Sequence, residues 1–385
     1  MVINGPYEKE LNELLYLISE NVDIKKCREK DARYSKSFAF DTVDSPPLVT
    51  VIDNLSKMQF PAPWNRYRHY DYKESFDCPV AMMQNMLLER VLPGLLSEDD
   101  SPFAIRNNHG TVQIASLLGG NWEMHENNFP WVSPFKSIDP IKKIAGEGFE
   151  LNINGGLLSK SIETLKYYKS KLNEYPILNQ AIQISMPDLQ GPFDTAEQLW
   201  GSDIFYSFYD EPELLEKLLQ TIVDVMLETA ILFKQYATDR LEPDANTQHE
   251  YAIPGRLLIR NDSSIMLSPE IYEKFVKPYD ALLLKKIGKG SIHFCGNGQH
   301  LIKNMLEIPE LLGLDFGDSN FMDISSIYNI CCDKKVAITN INPSRDDLIS
   351  GKACKVMPTG VVFVYYTDSI DDAKVVVEKY KSFRK

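Results

Sequence analysis

RLLIRNDSSIMLSPEIYEKFVKPYDALLLKKIGKGSIHFCGNG, residues 256–298, holds two short apolar runs with a helical pattern between them. RLLIRND (256–262) has the composition of a strand and ends in Asp262. Residues 268–288 predict a helix, with Ser268 as its cap, Pro269 in its first turn, and Glu270 and Glu273 near its positive end. SIHFCGNG (291–298) is then a second strand that turns through two glycines. Strand, helix and strand in this order are the unit from which α/β folds are built.

The second strand also carries chemistry. Alternate residues of a strand point to the same side, so His293 and Cys295 can aim a ring nitrogen and a sulfur at one place. Zinc accepts this pair, although it needs at least one further ligand. Free cysteines are also common core residues, so the pair equally fits a packed strand end.

Further along the chain the alternation continues. LLGLDFG (311–317) predicts a strand carrying Asp315, and MDISSIYNIC a helix. KVAITNIN (335–342) is strand-like and VVFVYYT (361–367) is the last strand, followed by a helix over 370–383 capped by Ser369 and Asp372. Upstream, strands are expected at 47–53, 103–107 and 181–187, and a long amphipathic helix over 212–238. Eight strands separated by helical patterns predict a TIM-type (β/α)8 barrel over residues 46–385, with a helical extension over 1–45. An open doubly wound sheet is the alternative, but GNGQHL is not a full G-x-G-x-x-G fingerprint. Walker loops, H-E-x-x-H and the G-x-S-x-G serine elbow are all absent.

The 385 residues include 41 basic and 54 acidic side chains, a formal charge of −13 that argues against nucleic acid or an anionic membrane as a general partner. No apolar run reaches the length of a membrane span. Six scattered cysteines and an acidic start without an apolar leader predict a cytoplasmic protein.

In a barrel all strand C-termini meet at one rim. That rim would gather Asp188, Asp262, His293, Cys295, Asp315, Asn340, Asn342, Tyr365 and Tyr366. Asp315 lies on the strand after His293 and Cys295, and the three would form a zinc shell with one open position. Two chemistries suit such a rim. In one, zinc activates a substrate thiol towards an electrophilic methyl group. In the other, no metal is needed: Asp188 or Asp262 stabilises a pyrrole-like cation during loss of CO₂, while Arg106, Arg256 and Arg260 hold acidic substrate arms.

FAIRNNHGTVQIASLLGG (103–120), PDLQGPFDTAEQLWG (187–201), RNDSSIMLSPEIYEKFVKPYDALLLKKIG (260–288) and IHFCGNG (292–298) resemble the uroporphyrinogen decarboxylase superfamily, over roughly residues 75–385. The resemblance implies a TIM-type barrel. It is nearest to the cobalamin-dependent methyltransferase branch, which implies zinc on His293 and Cys295, a corrinoid protein as methyl donor, and a thiol as acceptor. In relatives of the methionine synthase type an acidic residue completes the shell, at a place Asp315 approximately matches. Asp188 and Asp262 would be catalytic, and Arg106, Asn108, Arg260, Asn340 and Tyr366 would bind substrate. FVYYTDSIDDAK (363–374) departs from the methyltransferase pattern in lacking a last-strand cysteine, and no RQAGR-type motif of the decarboxylases is present. A cofactor-free decarboxylase and a non-catalytic corrinoid- or porphyrin-binding protein are the other readings.

Overall fold

A computed structural model describes residues 5–53, 60–238 and 245–384. Each of the eight expected strand regions contains a parallel strand: β1 (Leu48–Ile52), β2 (Ala104–Ile105), β3 (Gln183–Ile184), β4 (Leu258–Arg260), β5 (Gly290–Phe294), β6 (Leu311–Phe316), β7 (Ala337–Ile341) and β8 (Val361–Thr367). Six of them form one sheet in the order β1-β8-β7-β6-β5-β4, and β2 pairs with β3. The first strand therefore lies beside the last, with Leu48 opposite Phe363. The fold is α/β with a central parallel sheet. Among the described residues the hydrogen-bonded ladder does not run round a closed ring of eight, which corrects the expectation of an uninterrupted barrel.

The breaks have local causes. On the free side of β1, the N–H groups of Leu48 and Thr50 donate to the carboxylates of Asp100 and Asp99, at 2.9 and 2.6 Å, instead of to a strand. β2 begins only after Phe103, whose φ of 48° is left-handed rather than extended, although its carbonyl still accepts from the Gln183 N–H at 2.9 Å. β3 ends before Pro187, and its Ile184 N–H donates to the Thr238 hydroxyl at 2.8 Å. The segment after β3 touches β4 through one parallel bridge between Gln190 and Arg260, and Gly191 N–H donates to the Arg260 carbonyl at 2.7 Å. A Cβ on Gly191 would lie 2.1 Å from Asn261 Oδ1, so only glycine allows this approach.

The helices follow the apolar pattern with two kinds of departure. The extension expected to be helical over 1–45 is divided into two helices, Gly5–Asn21 and Ile24–Phe38; Asp23 caps the second by accepting from Lys25 and Lys26 N–H. Leu11, Leu14, Leu15 and Ile18 of the first are fully buried in the main core. The helices over 79–97 and 269–287 each widen by one residue per turn, at Leu87–Val91 and Tyr272–Val276. Pro93 and Pro278 lie just beyond these turns, and a ring without an N–H pushes aside the carbonyl four residues back. No helix among the described residues is long and apolar enough to cross a membrane.

Candidate functional site

Parallel strands present their C-terminal ends on one side, and β4, β5 and β6 are neighbours in register. Arg260 lies opposite His293, and His293 opposite Asp315. His293 is buried, and Asp315 is fully so. The His293 Nδ1 donates to Asp315 Oδ2 at 2.6 Å, and Asp315 Oδ1 accepts from the Thr339 hydroxyl of β7 at 2.5 Å. Burial raises the Asp315 pKa, but the charges and hydrogen bonds of His249 and His293 outweigh it and hold the carboxyl well below its ordinary value.

The other ring nitrogen faces a different group. His293 Nε2 lies 3.4 Å from Cys295 Sγ and 3.6 Å from Asp262 Oδ1. The Cys295 N–H donates to that same Asp262 oxygen at 2.7 Å, and Gly296 N–H to Asp318 at 2.8 Å. Burial, and then the negative charge of Asp262 with its hydrogen bond, push the Cys295 thiol up to about 12. A thiolate beside these carboxylates therefore needs a cation.

The expected trio of His293, Cys295 and Asp315 is divided by the imidazole ring. Among the described residues, the sets whose ligand atoms all lie within 4.8 Å of one another are Asp262, His293 and Cys295, and His249, His293 and Asp315. Zinc bonds of about 2.0–2.3 Å at tetrahedral angles put donors roughly 3.3–3.8 Å apart. The 3.4 and 3.6 Å spacings around His293 Nε2 meet this requirement. In the second set the 2.6 Å from His293 to Asp315 is a hydrogen-bond length, too short for two ligands of one ion. The first set has the spacing of ligands to one ion, and Asp315 holds the opposite side of the His293 ring through Nδ1.

The other expected residues divide as follows. Asp188 is buried between two guanidinium groups, Arg260 at 2.7 Å and Arg106 at 2.6 Å. Burial raises its pKa, but these cations pull it well below the carboxylate range. It is a fixed counter-ion for both arginines. Asn340 is buried with a φ of 58°, and its Oδ1 accepts from the Tyr366 hydroxyl at 3.2 Å and from Asn342 at 3.1 Å. Asn108 borders the helix over 79–97: its N–H meets the Met82 sulfur at 3.2 Å, and its carbonyl accepts from the Tyr72 hydroxyl.

Several residues that the sequence did not single out also converge here. A tight antiparallel pair, Ala245–Asn246 with Ile253–Pro254, carries His249 inward. His249 Nε2 lies 3.4 Å from Asp315 and 3.2 Å from Arg260, and its ring stacks on Tyr251. Arg90, from the widened turn of the helix over 79–97, is buried; it donates to the Thr247 carbonyl at 3.1 Å and lies 3.6 Å from Glu250. Its Nε and Nη1, with Nε of Arg106 and Arg260, have no hydrogen-bond partner among the described residues. The one available signal was the density of polar residues in NTQHEY, in a segment that otherwise reads as loop.

No protein-family model matches the chain, and no curated protein matches it. Among solved structures, a methyltransferase from Methanosarcina mazei is similar over 92% of this chain and 99% of its own, with a TM-score of 0.66 and 15% identity. At that identity the likeness shows a common fold.

Proposed function

We propose that the chain is a zinc-dependent methyltransferase-like enzyme that passes a methyl group from a corrinoid donor to a thiol. The observation that carries this reading is the division of labour at His293: Nδ1 is tied to buried Asp315, while Nε2 faces the Cys295 sulfur and an Asp262 oxygen at metal-ligand spacing. The fold shared with a solved methyltransferase supports the same class. We also read the two strand sets as arcs of one barrel, supported by the pairing of β1 with β8 and by the Gln190–Arg260 bridge.

Zinc held by Asp262, His293 and Cys295 would supply the Lewis acidity that keeps an acceptor thiol ionised, and the corrinoid would supply the methyl group. The protein's own part is positioning. Asp315, an ionised acceptor, keeps the Nδ1 proton of His293 in place and so leaves Nε2 free to bind metal. Asp262 fixes the Cys295 backbone as well as offering an oxygen. Arg90 keeps a buried Nη1 without a hydrogen-bond partner among the described residues and suits an anionic group on the acceptor. The decarboxylase reading draws less support, because Asp188 already occupies Arg106 and Arg260, two of the three arginines nominated for its substrate arms.

The test is zinc binding followed by turnover. Protein reconstituted with zinc should retain about one equivalent after gel filtration, and Cys295→Ser and His293→Ala should each lose it. Methylcobalamin with a panel of thiols should then give thioether product with the zinc protein only. A folded wild-type protein that keeps no zinc would overturn the proposal.

A further inference from the structure

A cavity of about 190 Å³ lies away from the candidate site, lined by none of its residues. Its walls come from the helix over 24–38, the turn after the helix over 92–97, and the C-terminal end of the chain's last helix. Five cations face it: Lys26, Lys30, Arg33, Lys381 and Arg384. Three of these have acidic partners. Lys26 lies 3.1 Å from Glu98, and Arg384 and Arg33 lie 2.5 and 3.4 Å from buried Asp100. The remaining wall carboxylates are also engaged, Asp23 as a helix cap and Glu29 at 3.9 Å from Lys25.

Lys30 and Lys381 differ from the others. Lys30 Nζ donates to the Ser101 carbonyl at 3.3 Å and sits 4.2 Å over the Phe103 ring. Lys381 Nζ donates to the Glu98 carbonyl. Neither has a carboxylate within ion-pair distance among the described residues. Burial lowers the Lys381 pKa, and the nearby positive charges of Arg384 and Lys30 lower it further, against the pull of Asp100 and Asp99. The two residues that flank these ammonium groups, Glu98 and Phe103, both hold a left-handed backbone, with φ of 57° and 48°. Strain of this kind persists where the surroundings enforce it.

We propose that this cavity binds a small oxyanion, phosphate- or carboxylate-bearing, between Lys30 and Lys381. Its volume admits an ion of that size. Each ammonium has donors left after its one carbonyl bond, and an oxyanion with several oxygens can accept from both. The site would join the N-terminal helices to the last helix.

The experiment is an amine-labelling footprint of the full-length protein, read by mass spectrometry, with inorganic phosphate, malonate or sodium chloride at matched ionic strength. Phosphate or malonate should protect Lys30 and Lys381 at least threefold and saturably, while Lys143, exposed on another helix, should not change. Protection by phosphate alone or by malonate alone identifies which oxyanion class is bound. Calorimetry should show at least tenfold weaker binding by Lys30→Gln/Lys381→Gln. If neither anion protects the two lysines beyond sodium chloride, the proposal fails, whatever the folding of the double variant.

Discussion

At Asp315 three side chains converge on one buried carboxylate: His293 and Thr339 by short hydrogen bonds, and His249 at 3.4 Å. Asp315→Asn preserves shape and removes the charge that fixes the histidine tautomer. Zinc affinity should fall about 10–100-fold, measured by competition with a chromophoric chelator. An unchanged affinity would remove Asp315 from the site. Asp188 makes a different prediction. Replacing it with asparagine leaves buried Arg260 and half-buried Arg106 without their counter-ion, and should cost about 3–5 kcal/mol in urea denaturation. A loss below about 1 kcal/mol would show that solvent or another acid compensates. His293 and Cys295 were legible in the sequence because a strand's two-residue period fixes which side chains share a side. The role of Asp262 was not, because its approach to Cys295 depends on how two strand ends turn. His249 was hidden more completely, in a loop where no periodicity applies.

The helix Lys277–Ile287 illustrates what an element adds. Its first turn buries Asp280, which accepts from Asn261 at 2.6 Å and from the Tyr272 hydroxyl at 3.0 Å. Burial pushes the carboxyl up to about 7, although both hydrogen bonds pull the other way. A folded pKa above the unfolded value means that the native state holds the proton more tightly. Stability from this group is then full below about pH 4, falls as pH rises, and levels off above about pH 7. The change is at most about 4 kcal/mol, at roughly 1.4 kcal/mol per pH unit. Asp280→Asn should flatten the stability profile between about pH 4 and about pH 7 relative to the wild type. Parallel profiles for the two proteins would count against the assignment. The sequence marked this helix through Ser268 and Pro269, and Ser268 does accept from Ile271 N–H at 3.3 Å. It did not reveal the widened turn, which follows from where Pro278 falls relative to the carbonyl it displaces.

For the whole molecule, the eight strand regions and their alternation with helices were readable from composition and punctuation. The closure of the sheet was not, since it depends on pairings between distant segments and on Asp99 and Asp100 occupying the edge of β1. A chain ending before Val361 would lack β8 and leave β1 and β7 with open edges. Such a chain should collect in the insoluble fraction under conditions where the full chain is soluble, and a soluble, cooperatively unfolding product would contradict this.

The adjacency of the first and last strands also has a consequence in time. Leu48 and its partner Phe363 are about 315 residues apart, and at a synthesis rate of roughly 5–20 residues per second β1 waits about 15–60 s for β8. The carboxylates of Asp99 and Asp100 reach the ribosome exit far sooner and can occupy one side of β1 during that interval. The other side stays open, so this strand is where a nascent chain is most exposed to pairing with a neighbour.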